Sequence, residues 1–271
     1  PLIGPNVHAM ILLGDPFSFP GQVLEQLNAE RPGLPIIGGM ASGGRGPGQH
    51  ALITGSSVLP IGAVGALLGG DIRIQTVVAQ GCRPLAHPYV VTSSEQNVIH
   101  QLAGRPPLER LQETISRLEP KERMLVQQGL HVGLVIDEYK AELAPGDFLI
   151  RNVVGADPET GAIAVGDYVH VGQTVQFHVR DAAAADHDLN ALLERGASTT
   201  GPAAGALMFT CNGRGVRLFG TPNHDVNAVQ ARLGPLPLAG MFCAGEIGPV
   251  GGRNFLHGFT ASIALFVEPD G

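Results

Sequence analysis

The sequence predicts a mixed α/β fold in which layered mixed sheets, helices and glycine-rich strand loops are built around an internal pseudo-repeat. Three observations carry this expectation. Short apolar runs bounded by glycine or polar turns recur along the chain, as strands do, while a few segments space their apolar residues three or four apart, as helices do. The 271 residues include 38 glycines and 21 prolines but only 15% charged residues, a composition that demands many tight turns. An apolar content of 44% is that of a globular chain, and the length suffices to bury a large core.

The elements follow in chain order. His8–Gly14 reads as a buried strand, Gln22–Asn28 as a short helix with Val23, Leu24 and Leu27 at helical spacing, and Leu34–Gly38 as a returning strand. Ala51–Thr54, Ala63–Leu68 and Ile72–Val78 are further strands. From Pro107 to Leu130 the pattern turns helical: Leu108, Leu111, Ile115 and Leu118 share one face, and Pro120 separates two helices. Strands resume at His131–Ile136, Phe148–Val154, Ala162–Val165 and Val171–Val179, with Ala156–Gly161 as turn chemistry. Asp181 is placed to cap a helix that turns Leu189, Leu192 and Leu193 inward and stops at Gly196. Ala204–Cys211 is another strand.

Sliding the N-terminal segment by 202 positions exposes an internal similarity. Leu24 then meets Val226, Leu27 meets Val229, Leu34 meets Leu236, Pro35 meets Pro237, Gly38 meets Gly240 and Gly43 meets Gly245. Both copies read strand, helix, strand, glycine loop. A duplicated unit would relate the two loops by a pseudo-two-fold axis and so create a central crevice for a ligand.

Bulk properties exclude several classes. A net charge of -7, from 17 basic and 24 acidic residues, leaves no basic footprint for nucleic acid. The longest apolar stretch, Pro60–Gly70, is too short and too often broken by glycine to span a bilayer, so no membrane partner is expected. The N-terminus carries neither a secretory pattern nor an initiator Met, which suggests a start inside a longer protein. Three widely spaced cysteines, Cys82, Cys211 and Cys243, point to a reducing cytoplasm. Without Cys-x-x-Cys pairs or clustered histidines no metal site is expected, and no cofactor motif is present. Arg83 and Arg151, each at the end of an apolar strand, read as structural ion-pair partners.

Two segments combine glycine amides with ligand-gripping side chains. In Pro237–Ser262, six glycines surround Cys243, Glu246, Arg253, Asn254 and His257, a set suited to a small zwitterion, with Arg253 on a carboxylate and Glu246 on an ammonium. At the end of the Ala204–Cys211 strand, where ligands of α/β sheets collect, CNGRG offers Cys211, Asn212 and Arg214 beside free glycine amides. The plainer readings are a bulged hairpin and an ordinary strand-to-loop turn. An alternative function is a thiol-dependent or other hydrolytic enzyme using Cys243 with His257 as base. The apolar flanks of Cys243 favour a structural thiol instead.

Several segments carry a resemblance to a known family: DPFSFPGQVLEQLNAERPGLPIIGGMASGG, QGCRPLAHPYVVT, CNGRG and FCAGEIGPVGGRNFLHGFTASIALF, together with GDFLIRNVVGADPETGAIAVGDYVHVGQTVQFHVRDA. In wording and order they resemble the FIST family, the F-box and intracellular signal transduction proteins. The resemblance implies a sensory module of signalling proteins that binds a small ligand such as an amino acid, with possible signalling partner proteins. It also implies a division at residues 1–100, the end of an N-terminal FIST region, and 101–271, a C-terminal one. No catalytic residue carries over. The nominated ligand residues are Cys211, Asn212, Arg214, Cys243, Glu246, Arg253, Asn254 and His257.

Overall fold

The computed structural model describes residue 4, residues 6–199 and residues 202–267. Contacts divide the chain into two compact units, one of Pro1–Gly81 with Asp186–Gly271 and one of Cys82–Ala185.

The first unit opens with β1 (Val7–Gly14), α1 (Gln22–Glu30) and β2 (Ile36–Met40), a strand, a helix and a strand parallel to the first. A short hairpin, β3 (Leu52–Thr54) and β4 (Ser57–Leu59), precedes β5 (Ala63–Gly69), which lies antiparallel to β1 on the side away from β2. Next comes β6 (Arg73–Ala79), which leaves this sheet for another.

The second unit contains β7 (Cys82–Pro84), β8 (Tyr89–Glu95), β9 (Val98–Leu102), α2 (Pro107–Ser116), α3 (Pro120–Gln128), β10 (Leu130–Val135), β11 (Phe148–Ala156), β12 (Ile163–Val165) and β13 (Thr174–Arg180). Its antiparallel sheet runs β10-β11-β12-β9-β8-β13, and β10 also pairs with β13, so the sheet closes on itself as a barrel. Closure removes the free edges that an open sheet would expose. Val91, Ile99, Leu102, Ile163, Val165 and Val179 fill its core, and Leu108, Leu111 and Leu118 of the predicted helical face pack against it. Both predicted arginines are ion-paired here: Arg151 with Asp167 at 2.7 Å, and Arg83 with Asp181 at 3.1 Å and Glu122 at 3.0 Å.

His131 and His178 are buried register partners across β10 and β13. Burial pushes each imidazole down to about 4, with the Arg180 charge adding to the effect on His131. Both folded-state values lie below the ordinary 6.5, so this stability is fully present above pH 6.5 and is lost as pH falls from there towards 4. The two imidazoles face each other and titrate as a coupled pair, so the barrel is expected to lose stability on acidification across this window. Hydrogen exchange of the β10 and β13 amides across this window should show the loss, and His178→Gln should flatten it. Equal pH slopes in wild type and variant would exclude these histidines as the cause.

The chain continues with α4 (Ala182–Thr199), whose N-terminus is capped as predicted: Asp181 Oδ1 accepts the N–H groups of Ala183 at 3.0 Å and Ala184 at 3.1 Å. Gly196 does not end this helix. It admits the Gln75 amide, whose nitrogen would lie 2.7 Å from a Cβ there. Then follow β14 (Ala203–Cys211), α5 (Val216–Phe219), α6 (His224–Leu233), β15 (Leu238–Cys243), β16 (Glu246–Val250), β17 (Arg253–His257) and β18 (Ala261–Val267).

These elements complete the first unit as four layers. One sheet runs β17-β16-β2-β1-β5 and the other β15-β14-β18-β6. Ala9 and Ile37 of one sheet meet Phe209, Cys243 and Ala264 of the other in the inner core. Outside, Leu24 of α1 packs with Leu12, Ile36 and Met40, and Leu189, Leu193 and Val229 of α4 and α6 pack on Val77, Met208 and Ile263.

The internal repeat is visible in this architecture. β14, α6 and β15 repeat β1, α1 and β2, with the same parallel pairing and with an antiparallel strand, β18 or β5, on the other side. Gly38 faces Leu12 and Gly240 faces Met208; a Cβ on either glycine would overlap the carbonyl oxygen of its partner. Helix and second strand therefore match at the 202-residue offset. The first strands match at 196, and the difference lies in the longer β14–α6 loop. The two glycine loops run side by side: Met40 N–H donates to Gly245 O at 2.8 Å, Ala244 N–H to Met40 O at 3.0 Å, and Ser42 Oγ to Phe242 O at 2.6 Å. Position 42 equals 244 and position 40 equals 242 under the offset, so the Ala244–Met40 and Ser42–Phe242 contacts correspond, one made by a backbone N–H and the other by a hydroxyl.

Candidate functional site

The CNGRG segment sits at the C-terminal end of β14, where Asn212 N–H donates to Cys243 O at 2.9 Å and Arg214 turns inward. Arg214 is fully buried and grips Asp225 of α6 with both edges of its fork, Nε to Oδ2 at 2.8 Å and Nη2 to Oδ1 at 3.0 Å. Thr210 Oγ1 donates to the same carboxylate at 3.0 Å, and His224 Nδ1 lies 3.1 Å from it. Burial pushes the Asp225 carboxyl up, but Arg214, His224 and Thr210 outweigh it and hold the group below the usual carboxylate range. His224 is fixed on its other sides by Asp186, 3.0 Å from Nε2, and by the Phe219 ring stacked on it with centroids 3.5 Å apart.

Above this ion pair opens a cavity of about 420 Å³. Its polar wall is Thr210, Arg214, Asn223, His224 and Asp225, and its apolar wall includes Met208, Val226, Leu238, Met241 and Phe242. The first turn of α6 faces it. No side chain caps that turn, because Asn223 stands in the left-handed region at φ 59° with its amide unbonded to the helix. Uncapped first-turn amides and the positive end of the helix dipole favour an anionic group.

The equivalent place in the first repeat is filled. Met40, which corresponds to Phe242, is buried, and with Phe19 it closes on Gly14, where a Cβ would lie 2.7 Å from Met40 Sδ and 2.9 Å from the Phe19 ring. Phe242 instead is 53% exposed at the cavity mouth. The β14–α6 loop, which carries α5, is longer than its counterpart in the first repeat and contributes Arg214, Gly215 and Asn223 to the cavity wall.

The other nominated residues stand apart from this cavity. Arg253 is exposed and lies over the Phe255 ring at 5.6 Å. Asn254 is buried, its Oδ1 accepting Ile36 N–H at 2.8 Å and its Nδ2 donating to Asn28 Oδ1 at 2.8 Å and Leu34 O at 2.9 Å. Glu246 Oε2 accepts from the Thr260 amide at 3.0 Å and hydroxyl at 2.8 Å, and His257 Nε2 lies 3.0 Å from Gly248 O. Cys243 pairs in register with Cys211 and is buried between the sheets. Burial, then the Glu246 carboxylate and Cys211, push its thiol far up, so it is not a thiolate at neutral pH. Of the eight nominated residues, Arg214 alone lines the cavity. Sequence reasoning missed Asn223, His224, Val226 and Phe242; the signal available was their place at the N-terminus of the second-repeat helix and at the end of its parallel strand. Among the described residues no group of three or more His, Cys, Asp and Glu side chains is placed to hold a metal, and no helix is long and apolar enough to cross a membrane.

The FIST N domain matches residues 4–105 and the FIST C domain residues 107–249. An uncharacterized protein of Mycobacterium tuberculosis is 54% identical over 260 residues, covering 95% of this chain and 68% of the relative. One of Mycobacterium bovis is 52% identical over 260 residues, covering 95% and 67%. FIST domains are sensory domains of signal transduction. The chain belongs to the FIST family.

Proposed function

We propose that this chain is a cytoplasmic sensory module that binds a small polar ligand, an amino acid or similar metabolite, in the cavity at the N-terminus of α6, with its FIST regions dividing near residue 100. The observation that carries the reading is the asymmetry of the repeat. The same strand, helix and strand are packed shut by Met40 and Phe19 in one copy and left open over a buried ion pair in the other. A ligand carboxylate meets the uncapped first turn of α6, and an apolar portion lies on Met208, Leu238 and Phe242. The Arg214 fork is already occupied by Asp225, so it steadies the helix end instead of clamping the ligand.

A thermal-shift screen of amino acids and related carboxylates, with calorimetry on the hits, tests this. A true ligand present at a hundred times its Kd stabilises the folded chain by about 2.7 kcal/mol through mass action. A panel that leaves the melting temperature unmoved throughout, at millimolar ligand, counts against the reading.

A further inference from the structure

The cavity runs along the edge of a strand as well as over its face. Ala206 N–H donates to Pro237 O and Asn212 N–H to Cys243 O, and the register runs from Ala206↔Leu238 to Cys211↔Cys243. The backbone groups of Ala239, Met241 and Cys243 therefore belong to the ladder with β14. Those of Leu238, Gly240 and Phe242 point the other way, and among the described residues no strand pairs with them. All five residues from Leu238 to Phe242 line the cavity, although successive side chains of a strand point to opposite faces. What these residues present to it in common is the backbone edge, and Gly240 at its centre is exposed.

The first repeat shows what such an edge accepts, and its loop shows why this one is open. The edge of β2, the counterpart of β15, is covered by β16, with Glu246↔Gly39 and Ile247↔Gly38 in register. At the 202-residue offset the same cover would set Gly44 against Met241 and Arg45 against Gly240. The chain after β2 does reach β15, through Ser42 Oγ on Phe242 O, and then binds back on itself. Gly44 N–H goes to His50 Nε2 at 3.1 Å and Arg45 N–H to Gln49 Oε1 at 2.7 Å. His50 is held in turn by Asp15, 2.8 Å from its Nδ1, just past the end of β1. The gap beside Gly240 is thus built by this chain's own loop, whose amides are engaged by side chains instead of by the strand.

We infer that the ligand of this cavity is a short peptide, two or three residues long with a free carboxylate, which lies along β15 and hydrogen-bonds to Gly240. The inference rests on the reading that the cavity takes an amino-acid-like carboxylate, and it narrows the class. Thr210, the register partner of Phe242, bonds to Asp225 in the first turn of α6, so that turn stands beside the C-terminal end of β15. A peptide laid parallel to β15 brings its terminal carboxylate there, while a C=O and an N–H of its main chain meet the N–H and O of Gly240. From Leu238 to Phe242 the edge spans about 13 Å at about 3.3 Å per residue, which suits two or three residues. Met208, Leu238 and Phe242 receive the peptide's side chains.

Calorimetry with the di- and tripeptides of alanine, leucine and serine, set beside the amino acid panel, tests the assignment together with amide hydrogen exchange. At least one peptide should bind about tenfold more tightly than any free amino acid, and methylating its peptide nitrogens should weaken it about tenfold or more. The Gly240 amide should exchange fast in the ligand-free chain and slowly once that peptide is bound. Val226→Phe, which fills the cavity, should remove the binding. Peptides that bind no better than the amino acids overturn the inference and leave the reading of the cavity standing; a chain that binds neither overturns both. A methylated peptide of undiminished affinity, a Gly240 amide protected before any peptide is added, or peptide binding that Val226→Phe leaves intact also overturns it.

Discussion

Replacing Arg214 by alanine is expected to destabilise the fold by about 3–5 kcal/mol, because it leaves the Asp225 carboxylate buried without its cation. Arg214 has no exposed surface, and Asp225 Oδ1 and Oδ2 each take one of its N–H groups. Arg214→Lys should rescue little, since a point charge cannot supply both edges of the fork. The double change Arg214→Met with Asp225→Leu should cost less than either single change, as removing both charges leaves nothing to desolvate alone. The pH dependence follows with a definite sign. Asp225 is held below the usual carboxylate range, so its contribution is present above that range and lost as pH falls through the lower folded value. In Arg214→Ala the carboxyl rises instead, and the gap between wild type and variant narrows on acidification. Urea melts at neutral and acid pH measure this; a neutral-pH change within about 0.5 kcal/mol would show that the pair does not anchor the helix.

Much of the first unit was legible because its repeat is written in local terms. The spacing of Leu24, Leu27 and Gly38 against Val226, Val229 and Gly240 reports a helix packed on a strand and a glycine forced by a carbonyl, and both requirements are set by neighbours in the same motif. The barrel was less legible. β8 and β9 carry Thr92, Ser93, Ser94, Glu95 and Gln101 among their apolar residues, and the β10–β13 pairing that closes the barrel joins segments far apart in sequence. Glycine and arginine motifs drew attention to CNGRG and GEIGPVGGRN alike, but composition does not say where a side chain finds its partner. Asn254 resembles a ligand residue in sequence and is a structural clasp in space, bound to Asn28 and Ile36. Phe242 resembles core and stands at a cavity mouth, because whether a strand end is covered depends on the segments that arrive over it from elsewhere in the chain.

That dependence sets up the sharpest test of the cavity. Val226 corresponds to Leu24, which is buried under a closed repeat, whereas Val226 borders open space. Val226→Phe should project a ring into the volume that a ligand would occupy, beside Met208 and Leu238, and so imitate the closure found in the first copy. The void accepts the added carbons without displacing core atoms, so stability should change by less than about 1.5 kcal/mol. Affinity for any ligand found in the screen should fall at least about a hundredfold, equal to some 2.7 kcal/mol. Val226→Ala, which enlarges the space, should weaken binding far less and thereby separates blocking from general damage to α6. Calorimetry on both variants with the identified ligand, beside their urea melts, gives the answer. Full affinity in Val226→Phe would place the ligand elsewhere, and the hairpin carrying Glu246 and Arg253 would then be the next region to probe.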